Sequence, residues 1–195
     1  MKLSDLKKDI KIVKDSQMYT HGISVGKNCV IDGPIATSKQ IHVISHAHSD
    51  HVTDRHIAHT MRIKNGKMLT TEPTKRLLRH GVRNRNVLHD YRFEHLNYGE
   101  LSEPFTEHGD TQFELKDAGH ILGSAQVKII DPQLDFSFGY SGDIGSKVHN
   151  PLECDVLVLD ATYSNIYDDG SNFSRDDVFN SVIKLGNYSI KNGMN

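Results

Sequence analysis

With 195 residues, the chain is long enough for one domain that buries about 70% of the surface its unfolded form exposes. Hydrophobic residues make up 36% and the formal net charge is −2, so the composition excludes a globally basic nucleic-acid binder, and no apolar run reaches the roughly 18 residues of a membrane helix. The charged amino terminus lacks a signal-peptide core, and Cys29 and Cys154 form no C-x-x-C pair. We therefore expect a cytoplasmic protein with reduced thiols.

The first predicted elements are strands. Residues 10–14 are predicted as the first strand, and residues 18–25 with 28–32 have the pattern of a hairpin that turns at Gly26-Lys27-Asn28. Asp32 ends this hairpin in an Asp-Gly pair, so a place in a turn is one sufficient explanation for it.

The most informative stretch follows a short β-branched run and has the pattern H-x-H-x-D-H. At the period of a strand His46 and His48 project to the same side, where one metal ion could take both. Asp50 and His51 stand where the chain turns into a predicted helix at residues 52–61, and this turn could carry them to a second ion. Zinc accepts such ligands, and two ions roughly 3.5–4 Å apart can clamp a phosphate ester. The alternative is a histidine-rich surface loop in which Asp50 only caps the helix.

The next elements are a strand and a second helix. Residues 67–70 are predicted as the strand. Residues 71–81 are predicted as the helix, because a polar N-cap, a proline in the first turn and a glycine at the end are typical of the two ends of a helix. His56 and His59 lie three apart on the first helix, and exposure on its surface explains them better than metal ligation. Residues 97–107 are predicted as a loop and an edge strand.

The densest positive charge lies between residues 75 and 92. A phosphate backbone could find counter-charges there, but basic residues are also usual late in a helix and on a solvated face, which is the interpretation we favour. The residues concerned are Lys75, Arg76, Arg79, Arg83, Arg85 and Arg92.

Three later segments could supply more ligands. A predicted strand at residues 111–116 delivers His120 between glycines, and an apolar run leads to Asp143 in Ser-Gly-Asp. Residues 154–160 are nearly continuously apolar, which is typical of a strand buried on both faces. Asp160 ends this strand, and a functional role is expected because a buried carboxylate needs a partner.

These motifs together resemble a known family. H-x-H-x-D-H, then G-H-I-L-G-S-A, then S-G-D, is similar to the metallo-β-lactamase fold and to its β-CASP branch, nucleases related to the mRNA 3'-end cleavage factor. Thr-Glu-Pro-Thr at residues 71–74 and Asp-Ala-Thr-Tyr at residues 160–163 also resemble this branch, although Ala161 and Ser164 depart from its usual flanks. The resemblance implies an α/β (α+β) fold, a metallo-β-lactamase-like αβ/βα sandwich that is incomplete at the carboxyl terminus.

The resemblance also implies roles for individual residues. One ion would be held by His46, His48 and His120, and the other by Asp50 and His51, with Asp143 bridging the two. Asp160 and Asp50 would be catalytic, Asp160 through proton transfer. Asp32 would orient the histidines without touching an ion.

The resemblance covers most of residues 10–190. It implies a single domain over residues 1–195, whose last helix, at residues 171–195, would lead into a β-CASP domain. Relatives of this branch continue beyond that helix and bring later histidines, so the second metal site would be short of a ligand here. The chain would then be a fragment, or a second copy or a complementing chain would complete it.

The expected function is that of a metal-dependent phosphodiester hydrolase acting on RNA or DNA, of the RNA-processing kind that includes mRNA 3'-end processing. Zinc is the expected cofactor, with two ions in a complete site and one possible here, and single-stranded nucleic acid is the expected partner, with no membrane. One alternative is a non-catalytic or one-metal scaffold of a nuclease complex. Another is a hydrolase of small thioesters or lactones.

Overall fold

The computed structural model describes residues 6, 8–14, 21–33, 38–82, 86, 89–145, 148 and 150–160, all within one compact unit, Met1–Asp160. The start of the predicted hairpin at residues 18–20, the basic residues Arg83 and Arg85, and the predicted helix at residues 171–195 lie outside the described residues.

The first sheet has six strands that lie side by side in chain order. The first three form an antiparallel meander, and the third to sixth run parallel. These strands are β1 (Ile10–Lys14), β2 (His21–Val25), β3 (Cys29–Ile31), β4 (Ile41–Val43), β5 (Lys67–Thr71) and β6 (Phe93–Leu96).

Two helices make the crossovers between the parallel strands. Helix α1 (Asp54–Thr60) connects β4 to β5, and its N-cap Thr53 accepts a hydrogen bond from the amide of His56 at 3.1 Å. Helix α2 (Glu72–Gly81) connects β5 to β6 with Thr71 as its N-cap and a proline in its first turn, as the sequence predicts.

The second sheet has four strands in the order β10-β9-β8-β7. Strands β7 (Gln112–Asp117), β8 (Ala125–Ile130) and β9 (Phe138–Tyr140) are antiparallel, and β10 (Val156–Val158) runs parallel to β9. Strand β7 therefore points in the same direction as β9 and β10.

The alternation of side chains along β5 separates two hydrophobic cores. Leu69 packs between the sheets against residues such as Phe113 and Val127, whereas Met68 faces the helices and packs with Ile57. The first sheet is therefore apolar on both faces, and the mixed α/β fold with layered sheets that the sequence predicts is confirmed.

The direction of the strands decides where the polar loops meet. Since β3, β4 and β5 are parallel, the residues after them lie at one edge of the first sheet. In the second sheet the residues after β7, β9 and β10 likewise share one edge. Carboxyl-terminal edges of parallel strands are where α/β sheets place their ligands.

Four features of the elements differ from what the sequence predicts. Strand β6 was not predicted, and residues 97–107 form isolated bridges and a 3₁₀ turn at Thr106–His108 in place of an edge strand. Strand β10 is not buried on both faces, because Leu157 is 48% and Leu159 59% exposed. His56 is not a surface residue of its helix but is fully buried.

Among the described residues, none of the helices has the length and apolarity needed to cross a bilayer.

Candidate metal centre

The loop after β4 brings the first two predicted ligands together. His46 is fully buried and His48 is exposed, and the Nε2 atom of His46 lies 2.9 Å from the Nδ1 atom of His48. The planes of the two rings are nearly perpendicular. These two nitrogens therefore face the same point at the protein surface.

The second sheet adds two more groups at the same point. His120 Nε2 lies 3.3 Å from His48 Nδ1 and 3.6 Å from Asp143 Oδ2, and this same carboxylate oxygen lies 3.8 Å from His46 Nε2. One donor atom from each of the four side chains lies within 4.8 Å of all the others. Histidines that are 72 positions apart in the sequence therefore share one small site.

A second set of donors lies beside the first. His51 Nε2 is 3.4 Å from Asp143 Oδ1 and 3.7 Å from Asp50 Oδ2. Asp143 thus turns one oxygen toward His46 and His120 and the other toward His51, which is the arrangement that a bridging carboxylate needs. The Asp50 side chain is 74% exposed, so this side of the centre opens to solvent.

Asp32 is buried behind both sets and is not itself one of the clustered donor groups. Its φ of +51° places it in the left-handed region, and it is 2% exposed. Its carboxylate accepts hydrogen bonds from the amide of Ser45 at 2.7 Å, from the hydroxyl of Ser45 at 2.6 Å and from His51 Nδ1 at 2.8 Å. Asp32 is therefore positioned to orient the histidine loop, and it is more than a turn residue.

These hydrogen bonds fix which ring nitrogens carry protons. The Ser45 hydroxyl has one proton, which it gives to Asp32, so at 3.0 Å it must accept the Nδ1 proton of His46. His51 likewise gives its Nδ1 proton to Asp32. Both imidazoles can therefore turn an Nε2 lone pair toward the cluster, as metal-binding histidines do.

The two histidines differ in charge preference. Burial lowers the pKa of His46 to about 4, helped by the neighbouring His51. Burial also lowers the pKa of His51, but the hydrogen bond and charge of Asp32, together with the charges of Asp143 and Asp50, outweigh it and raise that pKa to about 9. The carboxylates around His51 thus create an environment that favours a positive charge.

The donor set fits a divalent cation. Bond lengths of about 2.0–2.1 Å around a tetrahedral zinc ion imply donor atoms roughly 3.4 Å apart. The distances of 2.9, 3.3, 3.6 and 3.8 Å within the first set bracket this value. Three imidazoles and one carboxylate suit zinc, although related divalent ions accept the same ligands.

Asp160 lies beside the cluster and outside both sets. Its Oδ2 atom accepts a hydrogen bond from the amide of Ile144 at 3.4 Å, directly after Asp143, and its own amide donates to the Ser141 hydroxyl at 2.7 Å. The structure thus places this carboxylate next to the segment that carries the bridging residue.

One cavity in the described part of the chain lies away from this cluster. It has a volume of about 550 Å³ and includes Lys67, Arg92 and Glu94, near the starts of β5 and β6. The ligands lie beyond the opposite ends of the strands, where the exposed side chains of His48 and Asp50 leave the candidate centre open to solvent.

Three of the described basic residues between residues 75 and 92 have partners within the chain. Arg76 pairs with Glu72, Arg92 pairs with Asp90 at 2.8 Å, and the Lys75 ammonium donates to the carbonyl of Phe93. Such internal partners agree with the solvated-face interpretation.

The sequence assigns no role at the centre to several residues that lie around it, including the two threonines of the Thr-Glu-Pro-Thr motif. Ser45 precedes the motif, and Tyr140 precedes Ser-Gly-Asp; burial and the charges of Asp32 and Asp143 raise the pKa of the Tyr140 phenol. The hydroxyls of Thr71 and Thr74 contact the His120 loop. Only adjacency to the motifs could have pointed to Ser45 and Tyr140.

No known family profile matches the sequence, and no curated protein matches it. Solved structures with a similar fold include a metallo-β-lactamase with a HARLDQ motif from Cronobacter sakazakii (14% identity, TM-score 0.47, 69% of this chain and 60% of that one). They also include Igni18, a metallo hydrolase from Ignicoccus hospitalis (16%, 0.49, 70% and 61%), and MEM-A1, a subclass B3 metallo-β-lactamase from a soil metagenome library (12%, 0.44, 67% and 57%). The chain therefore spans about 60% of the length of these structures.

Proposed function

We propose that the chain is a metal-dependent hydrolase whose substrate is a phosphodiester of RNA or DNA. The observation that carries the proposal is the convergence of His46, His48, His120 and Asp143, with donor atoms within 4.8 Å of one another, beside His51 and Asp50. These residues follow strands of two different sheets, and a cluster of ionisable side chains with shifted pKa values is typical of a functional site.

The chain's own residues would divide the work. His46, His48 and His120 would hold one zinc ion and Asp50 and His51 would hold a second, with Asp143 lying beside both sets of donors. When bound, such ions supply an activated hydroxide and neutralise charge on a phosphate. Asp32 keeps His51 in the required tautomer directly and His46 through Ser45. Asp160, beside the Asp143 segment, accepts and returns the proton of the attacking water.

Two features support a nucleic-acid substrate. The motifs G-H-I-L-G-S-A, T-E-P-T and D-A-T-Y resemble those of nucleases that process RNA. The centre is also open, with His48 exposed and the Asp50 side chain 74% exposed, as a long polymer that must lie across the site requires. We therefore favour single-stranded RNA in a cytoplasmic processing reaction.

A one-metal scaffold is the second candidate. The first set has four donor groups, whereas the second has only His51, Asp50 and the shared Asp143 among the described residues. A chain that holds one ion tightly could serve as a non-catalytic partner in a nuclease complex.

The test combines metal analysis with a panel of substrates. Purified protein is assayed for zinc content and then for cleavage of labelled single-stranded RNA, single-stranded DNA, a thioester and a lactone. We expect two ions per chain and RNA cleavage that H48A abolishes. The control is H95A, which removes an exposed histidine from β6 away from the cluster and should leave cleavage unchanged.

Each other result points elsewhere. One ion per chain without cleavage under any divalent metal would favour the scaffold, and preference for the thioester or lactone would select a small-molecule hydrolase. Unchanged RNA cleavage by H48A would remove the metal mechanism altogether.

A further inference from the structure

The loop that carries His120 is held from the opposite sheet by two buried hydroxyl groups. The carbonyl oxygen of Gly123 accepts a hydrogen bond from the Thr71 hydroxyl at 2.7 Å and another from the Thr74 hydroxyl at 2.9 Å. Thr71 is 2% exposed and Thr74 fully buried, so water cannot replace these bonds. Both lone pairs of this carbonyl are thereby satisfied by α2 and its cap.

The contact is too close for any residue but glycine at position 123. Gly123 has a φ of +82°, and a Cβ atom there would lie 2.6 Å from the amide nitrogen and 2.7 Å from the hydroxyl oxygen of Thr74. Both the backbone conformation and the available space therefore require glycine, which explains the second glycine of G-H-I-L-G-S-A in this chain.

The bond at Gly123 is transmitted to the His120 backbone through a tight turn. The Ser124 hydroxyl accepts the amide of His120 at 3.0 Å and the amide of Ile121 at 3.2 Å, and the Ser124 amide donates to the carbonyl of Ile121 at 2.9 Å. A displacement of Gly123 would thus move the backbone of His120, whose Nε2 atom lies 3.3 Å from the Nδ1 atom of His48.

We infer that Thr71 and Thr74 are positioning residues for the metal centre: from the start of α2 they fix the Gly123 carbonyl and so hold His120 at bonding distance from the ligands of the first sheet. This inference rests on the proposed metal-dependent function. It assigns a physical role to the Thr-Glu-Pro-Thr segment, in which the first threonine also caps the helix by accepting the amide of Thr74 at 3.3 Å.

Thr74 gives the cleaner test, because substitution of Thr71 would also remove a helix cap. T74V keeps the shape and removes the hydroxyl, while T74S keeps the hydroxyl. The matched control is T111V, since Thr111 is also fully buried and donates its hydroxyl to a backbone carbonyl, that of His108, at 3.1 Å in the turn before β7.

The zinc dissociation constant is measured by competition with a chromophoric chelator, and the melting temperature of the metal-free protein is measured alongside. We expect T74V to bind zinc about 10- to 100-fold more weakly, as loss of a supporting hydrogen bond near a metal ligand usually does, with T74S restoring the wild-type affinity. T111V should lower the melting temperature and leave the affinity unchanged. The visible spectrum of Co²⁺-loaded T74V should report the weakened histidine ligand.

Wild-type affinity in T74V, or an equal loss of affinity in T111V, would overturn the inference while the proposed function stands. Absence of zinc binding in the wild type would overturn the proposed function and the inference with it. If T74V does not fold, T74A is measured in its place, with T74S as before, and the same outcomes decide.

Discussion

Asp32 makes more hydrogen bonds than a turn residue needs. Three donors converge on its carboxylate, and through them it reaches His51 directly and His46 by way of Ser45. A single buried carboxylate therefore sets the proton positions of two imidazoles whose ring centroids lie 4.1 Å apart. Because Asp32 alone orients two imidazoles, a substitution of this residue should affect both.

We expect D32N to weaken zinc binding about 10- to 100-fold, because an amide can accept fewer of these donors and presents its own protons to them. Asparagine tolerates the left-handed φ of +51°, so the substitution adds little backbone strain. Chelator competition measures the affinity. The control is D131N, which alters another buried carboxylate, one that accepts the amide of Gln133 at 2.9 Å; affinity equally reduced in both variants would contradict the prediction.

At this scale the sequence predicts the local part of the centre well and the distant part poorly. The spacing within residues 46–51 allows a shared site to be predicted because one strand and one turn determine it. The contact of Thr74 with Gly123 spans 49 positions and depends on how two sheets pack, which no local pattern encodes. The local sequence marks His120 and Asp143 as candidate ligands, but only a resemblance assigns them to a site shared with His46 and His48.

Among the secondary-structure elements, α1 is joined to β4 by a buried pair of histidines. His42 donates its Nε2 proton to the carbonyl of Lys39 at 2.9 Å, so its Nδ1 atom accepts the Nε2 proton of His56 at 2.8 Å. Both rings are fully buried, and the loop between them carries the first ligands. Burial lowers the pKa of His42 to about 4 and that of His56 to about 3, in the second case with help from His42 and His59.

This pair predicts a loss of stability in acid. Between about pH 6.5 and pH 4 the unfolded chain binds protons that the folded pair refuses, so the free energy of unfolding should fall as pH falls, by up to about 1.4 kcal/mol per pH unit for each group. Above pH 7 this contribution is complete and constant. Urea unfolding of the metal-free protein at pH 7, 6 and 5 measures the slope.

The comparison variant is H42Q/H56Q, in which neither side chain titrates. The free energy of unfolding of this variant should fall less steeply as pH falls, but it should still fall, because the pKa of His46 is also lowered. The raised pKa of His51 has the opposite effect, since it makes the folded chain more stable as pH falls from about 9 to about 6.5. Identical slopes for the two proteins would show that the pair does not titrate on unfolding.

The two loops that bring ligands from the second sheet touch at a pair of glycines. Gly145 donates its amide to the carbonyl of Ala118 at 2.9 Å, and a Cβ atom on Gly145 would overlap the carbonyl of Gly119. We expect G145A to lower the free energy of unfolding by about 1–3 kcal/mol and to weaken zinc binding, because the loops of His120 and Asp143 must separate.

G81A is the matched control for this substitution. A Cβ atom on Gly81, at the exposed end of α2, would meet nothing within 4 Å, so this variant should be neutral or up to about 1 kcal/mol more stable. Thermal and urea unfolding of both variants provide the measurement, and equal stability of G145A and the wild type would contradict the proposed close approach.

The sequence does not predict an element correctly where its pattern is too weak or has two explanations. Strand β6 reads Phe-Glu-His-Leu, too short and too polar to stand out, and it forms because β5 offers a parallel partner. The apolar run around β10 does predict a strand, but periodicity cannot tell which faces are covered, and Leu157 and Leu159 are on an exposed side.

For the whole molecule, the candidate centre is a junction between two sheets. His46 and His48 follow a strand of the first sheet, whereas His120 and Asp143 follow strands of the second. Direct backbone bonds already join the two edges, since the amide of Ala125 donates to the carbonyl of Ser45 at 2.8 Å. A bound cation would add a link between the same edges, so binding and global stability should be coupled.

We expect zinc to raise the melting temperature of the wild type, because an ion that binds only the folded chain contributes about 2.7 kcal/mol at a concentration 100 times its dissociation constant. H48A, from the first sheet, and H120A, from the second, should each lose most of this increase, while H95A, from β6, should keep it. Differential scanning calorimetry with and without zinc gives the increase in melting temperature for each of the four proteins. An H120A protein that retains the full increase would mean that His120 does not hold the ion, and Asp143 alone could then supply a ligand from the second sheet.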